Sequence, residues 1–191
     1  MITFDEASHT YWLGEERIPS VSEVIRAGEE EILYGMEKHL ERGKAIHHAL
    51  YRSDTHKERG DITFDWYIDR WEIIKQEMGW EIVASEQILY HPYHKYCGTY
   101  DCLVRNREGK LIIVDFKTGL SSKEKGEIQL SAYKAAFDFM WTKEDPDYVV
   151  REMWLVILHP NANKKGYRLT KLNYVFDKFL EKKKIWDELN A

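Results

Sequence analysis

Residues 95–118, KYCGTYDCLVRNREGKLIIVDFKT, constrain this chain more than any other stretch. Two β-like runs, Tyr96 to Arg105 and Leu111 to Thr118, flank Asn106-Arg107-Glu108-Gly109, a turn signal for an antiparallel hairpin. A turn centred on Glu108 sets Asp101 directly across the ladder from Asp115. Like charges so placed destabilise a sheet, with Cβ atoms about 4.5–5.5 Å apart. A divalent cation held by hard oxygen ligands relieves that repulsion economically. Lys117 shares Asp115's face and puts an ammonium beside the carboxylates. Ile112, Val114 and Phe116 form the other face, and Leu111 and Ile113 precede the charges on their own, so both faces read as buried. A buried ion triad, or a strand end reaching solvent, accounts for the same residues.

Around this hairpin the periodicity predicts helices from about Ile32 to Arg52, Phe64 to Met78, Lys125 to Met140 and Tyr174 to Leu189. Further strands are expected at Glu81 to Tyr90, Val149 to His159 and Tyr167 to Leu172. Thr3 to Pro19 reads as a small hairpin around Gly14-Glu15-Glu16, leading into Ser20, a helix N-cap with Glu23 three residues on. Helices before and after a central sheet imply one α/β or α+β domain over residues 1–191, with residues 1–30 as an N-terminal extension. The 191 residues, 43% hydrophobic, suffice for one core. The longest apolar run, Met153 to Leu158, is far short of the roughly 20 residues of a membrane helix, so no membrane association is expected. The opening residues Met1 to Glu6 have neither the basic start nor the apolar stretch of a secretory signal, so none is expected. Cys97 and Cys102 lie five apart on one strand and so point to opposite faces, which predicts free thiols and a cytoplasmic location. A net charge of −5 argues against general coating of nucleic acid but permits a local basic groove. Lys123, Lys125, Lys164, Lys165 and Arg168 are available to guide a backbone, or are simply solvated.

Four further residues fit the same chemistry. Met36, Leu40, Gly43, His47 and Leu50 fall on one helix face, so His47 points inward while His48 points out. An inward histidine is either a hydrogen-bonded core residue or, with carboxylates nearby, a metal ligand. Glu86 shares a strand face with Ile82, Ala84, Ile88 and Tyr90, where a carboxylate meets a metal or cation or else marks an edge in water. Gln129 and Tyr133 stand four apart on a helix stripe that continues through Ala136, Phe137 and Met140; Tyr133 by itself reads as core, and Gln129, nearer the helix start, is placed to reach either the site or a nucleic-acid backbone.

Arg42-Gly43 with His47, then Glu86, Gly98-x-x-Asp101, Asp115-x-Lys117 and Gln129-x-x-x-Tyr133, in that order, resembles the PD-(D/E)xK nuclease superfamily, and within it the RecB-like branch. The resemblance implies a restriction-endonuclease-like core, a central mixed β-sheet flanked by helices. It implies Mg²⁺ or Mn²⁺ held by His47, Asp101, Asp115 and the main-chain carbonyl of Phe116, with Lys117 activating or orienting the attacking water. It implies DNA as the substrate, a catalytic centre completed by Glu86, Gln129 and Tyr133, and a substrate contact from Arg42. Recombination and replication are the settings of that branch, which implies a protein partner from one of them. The four cysteines of its iron–sulfur members are absent, so no such cluster is expected. His9-Thr10-Tyr11-Trp12 and Pro19-Ser20-Val21-Ser22 are similar to the opening of phage and mitochondrial members. Ser20 and Ser22 then either receive a phosphate at a helix start or act as structure, Ser20 as the cap. The expected activity is a metal-dependent exonuclease acting on DNA ends or single strands; an endonuclease of the same fold and a non-catalytic binding protein are the alternatives.

Overall fold

The computed structural model describes residues 2–5, 8, 10–29, 37–119, 122–142 and 144–191, with residues 37–40 by backbone alone. His9, Met36 and the start of the expected Ile32 helix lie outside the described residues, as does the side chain of Leu40.

Strands β1 (Ile2–Asp5), β2 (Thr10–Leu13) and β3 (Glu16–Ile18) form an antiparallel meander. The hairpin expected around Gly14 is β2–β3, with Gly14 at φ +64°, but β1 pairs back along β2 as a third strand. Helix α1 (Val21–Arg26) follows, then α2 (Glu37–His56) and α3 (Asp65–Met78), which ends at Gly79 in the left-handed conformation. Strands β4 (Glu81–His91), β5 (Tyr96–Arg105) and β6 (Leu111–Lys117) are successive antiparallel neighbours. Helix α4 (Lys123–Trp141) carries the chain over to β7 (Val150–Leu158), parallel to β6, since parallel neighbours need a crossover. Strand β8 (Tyr167–Lys171) pairs antiparallel with β7, and α5 (Phe176–Leu189) closes the chain. The order β4-β5-β6-β7-β8 is a mixed five-stranded sheet, the α/β architecture expected.

Two cores lie on the two faces of this sheet. On one, Leu111, Ile113, Leu155 and Ile157 pack with α1, α4 and α5; on the other, Ile112, Val114, Phe116 and Val156 pack with α2 and α3. Strand β6 is therefore buried on both faces, as its apolar run predicts. A smaller third core joins the meander to the large sheet through Tyr11, Ile18 and Cys97.

The β5–β6 hairpin takes the expected register, Cys102 opposite Val114 and Arg105 opposite Leu111. Its turn is held by Asn106 Oδ1, which accepts from the Glu108 and Lys110 amides at 3.0 and 2.9 Å. Regular pairing stops at Cys102–Val114, one step before the aspartates, so Asp101 and Asp115 are not a ladder pair. Strict alternation also fails here. Tyr96 and Tyr100 enter the first core, but so does the odd-numbered Leu103, while Cys102 and Val104 enter the second. The change of parity falls at Asp101, beside Glu86 of β4, whose φ of +51° interrupts the β4–β5 ladder between Ser85 and Gln87. Ile82 and Ala84 pack into different cores because a bulge shifts the register between them, and together with Glu86 this corrects the single face drawn through Ile82, Ala84, Glu86 and Ile88.

Candidate metal centre

The carboxyl end of β6 points Asp115 and Lys117 into a cleft of about 1220 Å³, and the parity change in β5 brings Asp101 to the same place. Asp115 is almost wholly buried. Its Oδ1 accepts from Lys117 Nζ at 2.8 Å; its Oδ2 lies 2.6 Å from that ammonium yet receives no hydrogen bond of acceptable geometry. Burial, then the charge of Asp101, pushes the Asp115 carboxyl up despite Lys117. Asp101 Oδ2 accepts the Phe116 amide at 2.7 Å, and its Oδ1 lies 3.3 Å from His47 Nδ1. Burial opposes the Asp101 charge too, but His47, Lys117 and that amide outweigh it and hold the carboxyl low.

His47 comes from α2 at the border of that helix's buried face, which runs through Ile46, Ala49 and Leu50. Its side chain is 26% exposed and lines the cleft beside the carboxylates, the placement that the metal-ligand alternative requires. Burial alone lowers an imidazole, but the charge and hydrogen bond of Asp101, then Asp115, hold His47 up at about 9. Glu86 enters from β4, where burial, then Asp101, pushes its carboxyl up to about 7. Donor atoms of His47, Glu86 and Asp101 all lie within 4.8 Å of one another. The compact trio thus contains Glu86, while Asp115 is turned towards Lys117. The alternation argument could not single out Glu86, because the left-handed residue that aims it breaks the alternation.

From the opposite layer, α4 brings Gln129 and Tyr133. Lys117 Nζ donates to Gln129 Oε1 at 3.3 Å, and Gln129 Nε2 donates to the Tyr133 hydroxyl at 3.4 Å. Gly98 makes room for this chain: a Cβ there would stand 2.7 Å from the Tyr133 ring. The Phe116 ring packs in the second core, edge-on to His47 at 6.1 Å, and its amide serves Asp101.

The nuclease-like spacing of these residues extends to most of the chain: the pattern of the PD-(D/E)XK nuclease superfamily matches residues 14–189. The chain belongs to that superfamily. A PD-(D/E)XK fold carries metal-dependent nuclease chemistry on nucleic acid, and the sheet, layers and acidic cleft here are arranged accordingly. No curated protein matches the sequence. Among solved structures, one described as "Crystal structure of SSO0001" is similar at 14% identity over 93% of this chain and 76% of that chain, with a TM-score of 0.46. No helix among the described residues is long and apolar enough to cross a membrane.

A divalent ion fits the donors of this PD-(D/E)XK site. Two carboxylates and an imidazole converge within ligand reach, and the neighbouring Asp115 Oδ2 is a buried acceptor without a hydrogen bond. His47 must release its proton to ligate, so metal binding here is coupled to pH.

The substrate contacts expected from the sequence divide. Arg42 lines the cleft and donates to the Tyr67 hydroxyl at 2.7 Å. Ser22 is an exposed lining residue. Ser20 also lines it, but its side chain accepts from the Glu23 amide at 3.2 Å while Glu23 takes the Ser20 amide at 2.8 Å, a closed capping box. That box places a carboxylate where a phosphate was considered, at the start of a helix of only six residues. Of the basic residues proposed as guides, Lys123, Lys125 and Lys165 pair with Glu127, Glu29 and Glu77, and none of the five lines the cleft. Lys44, His48 and His159 do, a placement revealed only by the packing of α2 against the sheet and by the position of the carboxyl end of β7 within it.

Proposed function

We propose that this PD-(D/E)XK protein is a Mg²⁺- or Mn²⁺-dependent deoxyribonuclease of the RecB-like type, an exonuclease trimming DNA ends or single strands. One observation carries the reading: His47, Glu86 and Asp101 converge within 4.8 Å beside a buried Asp115–Lys117 pair on the floor of a single cleft. His47, Asp101 and Asp115 would hold the metal, with Glu86 and the Phe116 carbonyl completing the donors. A bound ion supplies Lewis-acid stabilisation of the phosphate and a more acidic water.

The chain's own part is positioning. Lys117, steadied by Asp115 on one side and Gln129 on the other, presents its ammonium to the attacking water or to the charge that develops on the phosphate oxygens. Tyr133 fixes Gln129, and Gly98 admits Tyr133. Arg42 takes a neighbouring phosphate. The two unpaired, buried thiols Cys97 and Cys102 support a reducing, cytoplasmic setting.

Purified protein with Mg²⁺ or Mn²⁺ on linear, circular and single-stranded DNA tests this reading. Loss of linear and single-stranded substrate with intact circles supports an exonuclease. Nicking of closed circles favours an endonuclease instead, and retained binding with no cleavage in either metal removes the enzymatic reading.

A further inference from the structure

We infer that His159, just past the end of β7, is a substrate-binding residue of the cleft, its Nε2–H donating to a phosphate oxygen on the side of Lys117 away from the acidic trio. The inference rests on the nuclease reading for the class of ligand and adds a residue to it.

Strands β6 and β7 run parallel, with Asp115 opposite Leu155 and Lys117 opposite Ile157. Side chains two apart share a face, so His159 continues the row of Leu155 and Ile157, which pack in the first core beside Ile113 on the face that carries Asp115 and Lys117. The His159 amide donates to the Gly166 carbonyl at 3.1 Å, one step past the Leu158–Tyr167 pair, so the course of the strand holds to this residue. One strand spacing across and two residues on, its Cα stands about 8 Å from that of Lys117. His159 is half-buried and lines the cleft. The carboxylates of the trio come from β4 and β5, on the other side of β6.

The ring is held at one nitrogen only. Its Nδ1 accepts the Asn161 amide at 3.1 Å, which fixes the tautomer and leaves the proton on Nε2. Nε2 has no acceptor, and the ring no carboxylate, among the described residues. The loop beneath is closed on itself and on α3: the Ala162 amide donates to the His159 carbonyl at 2.8 Å, the Lys165 amide to Asn163 Oδ1 at 2.8 Å, and Lys165 Nζ to Glu77 at 3.0 Å. Gly166, at φ +79°, lies so near Trp66 that a Cβ there would stand 2.6 Å from the indole. His159 is therefore oriented before any ligand arrives, which lowers the cost of binding one. Arg42 already donates to Tyr67, and Lys117 to Asp115 and Gln129. His159 is a donor with nothing in the chain to receive it, and anionic oxygen is the acceptor that a nuclease substrate brings.

Two substitutions separate this role from support of the loop. His159→Asn keeps an acceptor for the Asn161 amide, since an asparagine side chain closes the same turn two residues on, but it places no donor where Nε2 stood. His159→Gln does the opposite, its amide N–H reaching as far as Nε2 while the loop loses its acceptor. Each is made in Lys117→Ala protein and titrated, with Mn²⁺, against fluorescent DNA of one sequence as single strand and as duplex. His159→Asn should weaken binding roughly tenfold at unchanged melting temperature, the scale of one hydrogen bond to a charged group. His159→Gln should bind like its parent and melt lower. Uncharged methylphosphonate linkages placed singly along the DNA should cancel the His159→Asn difference at one position. His159→Gln as weak as His159→Asn, or weaker, assigns the histidine to the loop and overturns the inference, as does a difference that no single neutral linkage cancels. Cleavage by the unsubstituted protein with Mn²⁺, run in parallel, keeps the two readings apart. Cutting with no loss of binding in His159→Asn removes the phosphate donor and keeps the nuclease; His159-dependent binding without cutting does the reverse, and no binding of either DNA removes both.

Discussion

His47 and His48 are adjacent on α2, yet one faces the carboxylates and the other the outer wall of the cleft. Helix geometry turns neighbours by about 100°, which makes them an internal control. His47→Ala should weaken Mn²⁺ binding, read by calorimetric titration, by at least the roughly 10–100-fold that losing a ligand's supporting partner costs. His48→Ala should leave Mn²⁺ affinity unchanged, its effect being confined to substrate binding; equal losses of metal affinity would remove the assignment of His47. Lys117 separates two other roles. An ammonium is a donor and never a ligand, so Lys117→Ala should retain Mn²⁺ binding while cleavage drops by about 10²–10³-fold, the scale of a lost donor to developing charge. Surviving cleavage with collapsed metal affinity would reverse that role. At this scale the sequence was informative, since Asp101, Asp115, Lys117, His47 and Gln129 all reach one cleft. The trio with Glu86 was not legible, because a side chain on a residue at φ +51° does not follow strand alternation.

At the scale of elements, the capping box of α1 decides what Ser20 does. Ser20→Ala should lower stability by about 1 kcal/mol, a shift of about 2–4 °C in melting temperature, with no change in the rate ratio between 5′-phosphorylated and 5′-hydroxyl ends. A change in that ratio at constant stability would restore the phosphate contact. The end of β4 supplies a pH dependence. His91 is buried among Tyr96, Phe139 and Phe176, and its Nδ1 accepts the His94 amide at 3.3 Å. Burial, then His94, pushes it down to about 4. The unfolded chain therefore binds this proton first as pH falls, so His91 removes stability progressively from about pH 6.5 to 4. The melting temperature of the native protein should fall more between pH 7.5 and 5 than that of His91→Phe, by a few degrees at about 2–4 °C per kcal/mol. Parallel curves would show that folding does not lower the His91 pKa. Most elements were legible from periodicity; the third strand of the meander was not, because β1 is only four residues and is defined by its pairing with β2.

For the whole molecule, the site exists because two helical layers meet at one end of the sheet: α2 delivers His47 from one face, α4 delivers Gln129 and Tyr133 from the other, and β4, β5 and β6 carry the acids between them. Crevices at the carboxyl ends of parallel strands are where open α/β sheets commonly bind ligands, and β6–β7 is the parallel pair here. Local chemistry written in consecutive residues was determined by the sequence alone: the Asn106–Gly109 turn, the hairpin register it imposes, the doubly buried β6 and the serine cap of α1. The turn, the register and the cap depend on dihedral preferences and hydrogen bonds within a few residues, and the burial of β6 follows its uninterrupted apolar run. The exchange of faces at Glu86 and Asp101, the convergence of His47 with both, and the aromatic and cationic lining of the cleft were decided only in the tertiary structure. A positive φ inside a strand is unfavourable by itself and persists only where surrounding packing holds it, and that packing comes from residues far apart in the chain.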